Sequence, residues 1–71
     1  METKEKLTRE EEDILALLIE YYYNHKKMPT RKQIGILLEI SAQLVQFRLR
    51  KLEQKKYIEI IHRKKGGIML K

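Results

Sequence analysis

The sequence predicts a mainly α-helical fold closed by a small β-hairpin, and three observations carry that prediction. Two capping boxes, Thr8 with Glu11 and Thr30 with Gln33, each stand just ahead of an apolar series at helical spacing. A third such series follows Ser41. After Lys55 the helical period gives way to two short apolar runs around Lys64-Lys65-Gly66-Gly67, a turn signal.

Taken in order, residues 1–7 are polar and mixed in charge and read as a flexible N-terminal arm. Helix one is expected over 8–25. Glu10, Glu11, Glu12 and Asp13 lie in its first turn, where the helix dipole favours negative charge. Ile14, Leu17, Leu18, Tyr21 and His25 form its inward face, and Pro29 stops any continuation. Helix two is expected over 30–39 with Ile34, Leu37 and Leu38 inward. Only Glu39 and Ile40 then precede Ser41, the N-cap of a helix over 41–55 striped with Val45, Leu49 and Leu52. The hairpin is expected over 57–71.

A chain of 71 residues has room for one domain. A core of that size supports a net stability of roughly 3–5 kcal/mol. There is no cysteine, so neither disulfides nor a thiolate metal site can staple it. His25 and His62 lack spaced ligand partners, so no metal or cofactor is expected. No nucleophile–base pair, phosphate loop or acid pair stands out, which argues against an enzyme. The first nine residues hold no apolar signal core, and no apolar run approaches a membrane span. A soluble, cytoplasmic, nucleoid-associated protein is therefore expected.

Charge is divided unequally. Residues 1–25 carry three basic and seven acidic side chains, whereas residues 26–71 carry thirteen basic and three acidic ones. Such a division suits a polyanion binder, although excess surface lysine alone produces a similar balance.

The stretch from Ile34 to Leu52 supplies the scaffold. Ile34, Leu38, Ile40, Val45, Leu49 and Leu52 are apolar where two steeply crossing helices must touch, and Gly35 is small where they approach closely. This is the spacing of a helix-turn-helix, and with the hairpin it makes a three-helix winged helix-turn-helix; an ordinary two-helix corner is the plainer reading. On a helical wheel, Gln43, Gln46, Phe47 and Arg50 point away from the stripe.

The order LTREEEDILALLIEYY…MPTRKQI…ISAQLVQFRLRKLEQKKYIEII…GGIML resembles the N-terminal DNA-binding domain of the LexA repressor family. The likeness covers about residues 7–71, and its most particular features are Pro29-Thr30-Arg31 and Gly67-Ile68. It implies binding of double-stranded DNA through the third helix, with Ala42, Gln43, Leu44, Gln46 and Phe47 facing bases. Glutamine pairs with adenine and apolar groups meet the thymine methyl, so an A·T-leaning site is expected. Three departures stand out. The corner is two residues shorter than in the LexA pattern, Glu39 and Lys56 stand where glycines are common, and the self-cleaving Ser/Lys domain is absent from these residues.

Thr30, Arg31, Ser41, Arg48, Arg50 and Lys51 are candidates for phosphate contact, at or near helix starts or beside the reading face. In the wing, Arg63, Lys64, Lys65 and Gly66 suit the backbone or a minor groove, or simply solvate an edge. Leu44 and Phe47 admit three placements: against thymine methyls, in a protein-binding patch, or in the core. Leu15, Ile19, Tyr22 and Tyr23 widen the apolar arc of helix one into a candidate interface for a homodimer or another protein. A small transcriptional regulator, a repressor acting as a dimer, is the leading reading. The alternative is a winged-helix module that docks a replication or transcription protein. No small-molecule effector is expected.

Overall fold

The computed structural model describes residues 5–61 and 67–71. Among these residues are three helices, α1 (Arg9–His25), α2 (Arg31–Leu38) and α3 (Ala42–Gln54). They are followed by the strands β1 (Ile58–Ile61) and β2 (Gly67–Leu70). Order and class are those of a winged helix-turn-helix.

Local chemistry sets each helix boundary. Both capping boxes form: the Glu11 and Gln33 amides donate to the Thr8 and Thr30 hydroxyls, and both side chains accept from the cap amides. Ser41 caps α3 by accepting from the Leu44 amide at 3.1 Å. At the far ends Lys26, Glu39 and Lys56 adopt positive φ of 59°, 59° and 67°. After α3, Tyr57 N–H returns to the Leu52 carbonyl and Lys56 N–H to that of Glu53, a Schellman ending.

The core joins all three helices to the hairpin. Ile14 and Leu18 of α1, Ile34 of α2, and Val45, Leu49 and Leu52 of α3 are fully buried with Ile58. The strands pair antiparallel, with Ile58 opposite Leu70, Glu59 opposite Met69 and Ile60 opposite Ile68. The period of two turns Ile58, Ile60 and Ile68 inward and leaves Glu59 and Met69 exposed. Glu53 ties α3 to the hairpin by accepting from the Ile60 amide at 2.9 Å.

Three details depart from the sequence expectation. Leu37 is 55% exposed rather than inward, because this short helix reaches the core through Ile34 and Leu38 while Leu37 turns toward Tyr21, Gln33 and Ile36. His25 is exposed, its ring lying against Tyr21 with centroids 4.3 Å apart. Of the expected arm, residues 5–7 are tethered: the Glu5 carbonyl accepts from Tyr57, the Lys6 carbonyl from Lys55, and Leu7 packs on the core.

That tether meets a buried charge. Glu11, 5% exposed, receives the Lys55 ammonium at 2.6 Å and the Thr8 amide at 2.9 Å on the same oxygen. The Lys55 ammonium foremost, then the Thr8 amide, holds the Glu11 carboxyl below its ordinary value. The capping box and the end of α3 thus share one carboxylate, and the Lys55 ammonium links them to the arm through the Lys6 carbonyl.

Candidate nucleic-acid interface

The crossing of α2 and α3 depends on Gly35. A Cβ there would stand 2.7 Å from the Ile40 carbonyl oxygen. The small residue was expected for helix–helix approach, and the neighbour it accommodates is the backbone of the corner itself. The Ile40 amide closes that corner by donating to the Gly35 carbonyl at 2.9 Å.

With α3 seated on its buried stripe, its other side faces solvent. Ala42, Gln43, Leu44, Phe47 and Arg50 are exposed, and Gln46, Arg48 and Lys51 are half-buried. Phe47 is 57% and Leu44 36% exposed, which overturns the core placement considered for them. The reason is angular: neither lies within the arc of Val45, Leu49 and Leu52. The Lys51 ammonium sits 5.3 Å from the Phe47 ring centroid, one helical turn away. An aromatic ring and a cation are therefore presented together.

Arg31 and Gln46 meet across the corner. Arg31, the first residue of α2, donates from Nε to the side-chain oxygen of Gln46. The wheel placed Gln46 outward but gave no sign of this contact, which joins residues fifteen positions apart.

The helix starts present hydroxyls and amides. The Thr30 and Ser41 hydroxyls accept from the Gln33 and Leu44 amides, and each keeps its proton to donate. Ahead of the capped Gln33 and Leu44 amides, the first amides of α2 and α3 have no helical acceptors. Sequence reasoning passed over Lys32, which lines a surface depression at the corner with Gly35, Ile36, Glu39, Ser41 and Ala42. Its position two residues after a cap threonine was the available signal.

The wing candidates Arg63, Lys64, Lys65 and Gly66 lie outside the described residues. On α1, Ile19, Tyr22 and Tyr23 are exposed, Tyr23 at 75%. Leu15 is not part of that surface, being partly buried against the core. Tyr22 also lines a cavity with Met28, Ile68, Met69 and Leu70. Among the described residues no cluster of His, Cys, Asp and Glu could hold a metal ion, and no helix is long and apolar enough to cross a membrane.

No curated protein matches the chain. The family model of the LexA DNA binding domain matches residues 4–67, from the N-terminal arm to the return strand of the hairpin. The corner, the solvent-facing side of α3 and this match agree: the chain belongs to the LexA DNA-binding domain family, and its partner is double-stranded DNA.

Proposed function

We propose that the chain is a sequence-specific DNA-binding protein acting as a small transcriptional regulator of bacterial, phage or plasmid type. α3 enters the major groove, with Ala42, Gln43, Leu44, Gln46 and Phe47 over the bases. Thr30, Arg31, Ser41, Arg48, Arg50 and Lys51 hold the flanking phosphates, and Arg63, Lys64, Lys65 and Gly66 of the wing lie over the backbone or minor groove. The chain acts by binding alone, in the cytoplasm, without cofactor or effector.

One observation carries this reading: the solvent-facing side of α3 combines amides, cations and an exposed aromatic ring on a helix whose opposite side is fully buried. Exposing Phe47 costs least where a thymine methyl covers it. A second copy bound at a neighbouring half-site extends the contact that one small module makes. Ile19, Tyr22 and Tyr23, exposed outside α3, favour that pairing.

Selection from random duplexes tests the proposal. A defined motif is expected from the wild type, with Gln46→Ala and Arg50→Ala altering the motif or its strength. Unchanged selection by both variants, or no enrichment at all, contradicts it and favours a protein-docking role for Phe47 and Leu44.

A further inference from the structure

We infer that Arg31 is a positioning residue that engages the Gln46 side-chain oxygen and leaves its NH2 group foremost, so that α3 reads guanine at that position rather than adenine. The inference rests on the DNA-reading role proposed above and deepens it.

Arginine Nε carries a proton and has no acceptor, so the amide atom it meets must be the Gln46 oxygen. The planar amide therefore turns its NH2 group away from Arg31. Both residues are half-buried, which limits the other orientations open to them. A glutamine pairs bidentately with adenine only when its oxygen receives N6–H while its NH2 donates to N7. Here the oxygen is held toward the start of α2 with one of its two lone pairs occupied, which turns it from the geometry of the adenine pair without removing its second lone pair. Guanine offers two acceptors, O6 and N7, to the NH2 group that remains. The adjacent guanidinium adds positive potential, which favours those acceptors and opposes the amino hydrogens of adenine and cytosine. The guanidinium also keeps four further N–H donors, enough to hold a phosphate while it orients Gln46. The adenine half of the A·T-leaning expectation, which came from glutamine, is thereby reversed at this one position.

The experiment uses the whole 71-residue chain. Motifs are selected from random duplexes for the wild type, Gln46→Met, Gln46→Glu and Arg31→Met, with thermal unfolding confirming that each variant folds. The base under Gln46 is the one whose preference Gln46→Met loses. There the wild type is expected to bind guanine over adenine by about tenfold. Arg31→Met should abolish or invert that ratio while leaving the rest of the motif intact. Gln46→Glu retains a partner for Arg31 but offers acceptors alone, so it should prefer cytosine or adenine at the same position whatever the fate of Arg31→Met.

A wild-type preference for adenine there overturns the inference while the DNA-reading role stands. So does a loss in Arg31→Met that is equal for every duplex, the mark of a phosphate clamp only. Absence of any wild-type motif overturns the DNA-reading role itself, and this inference with it.

Discussion

Gly35 carries more of the corner than its size suggests. Alanine in place of glycine within a helix ordinarily gains about 1 kcal/mol. Here the added Cβ would press on a backbone oxygen at 2.7 Å, which cannot swing aside as a flexible side chain would. Gly35→Ala is therefore expected to destabilise by about 1–3 kcal/mol in urea unfolding. Glu39 and Lys56 present the opposite case, since their φ values of 59° and 67° suit glycine. Glu39→Gly and Lys56→Gly should each stabilise by up to about 1 kcal/mol. Both positions were legible in the sequence as places where a glycine is usual. The neighbour of Gly35 was not, because spacing indicates a close approach without naming the atom approached.

The Glu11 carboxylate yields a prediction with a definite sign. Its folded pKa lies below the ordinary value of 4.5, so its contribution is present above about that pH and is lost as pH falls through the lowered value. Glu11→Gln should flatten the acid side of the stability profile in that window. Glu11→Ala should cost about 2 kcal/mol, less than a fully enclosed pair, because Lys55 keeps some solvent and the Lys6 carbonyl. The sequence showed Glu11 as half of a capping box. Its partner lies forty-four residues away and leaves no local signal.

At the scale of elements, α3 is a wall of the core and, in the proposed function, also the reading head, and the two roles separate by residue. Leu49 is fully buried, and its truncation to alanine should cost about 2–5 kcal/mol. Against a total of roughly 3–5 kcal/mol for so small a core, Leu49→Ala is expected to populate the unfolded state measurably at room temperature. Phe47→Ala should shift stability by no more than about 0.5 kcal/mol while weakening binding to the selected duplex. A large loss of stability in Phe47→Ala would mean that its ring is load-carrying in the core. Periodicity made this division legible, because the stripe of Val45, Leu49 and Leu52 fixes which residues are left outside it. It misplaced Leu37, since an eight-residue helix gives a wheel little to average over and Ile36 and Leu37 share an exposed flank. The Glu53–Ile60 and Arg31–Gln46 bonds join different elements, so neither has a local sequence signature.

Across the whole molecule, charge and fold point the same way. The acidic side chains concentrate in α1 and its approach, while the remainder, with thirteen basic residues against three acidic, holds α2, α3 and the hairpin. Affinity should therefore fall steeply with salt, the slope reporting the number of phosphates neutralised. If the wing lies over phosphates, Lys64→Ala combined with Lys65→Ala should reduce that slope by about 2. An unchanged slope would remove the wing from the interface. Sequence-specific binding by α3 is tested most directly by comparing affinities, at one fixed salt concentration, for the selected duplex and for a scrambled duplex of the same composition. We predict that the selected duplex binds about a thousandfold more tightly. Equal affinity for the two would contradict base reading by α3.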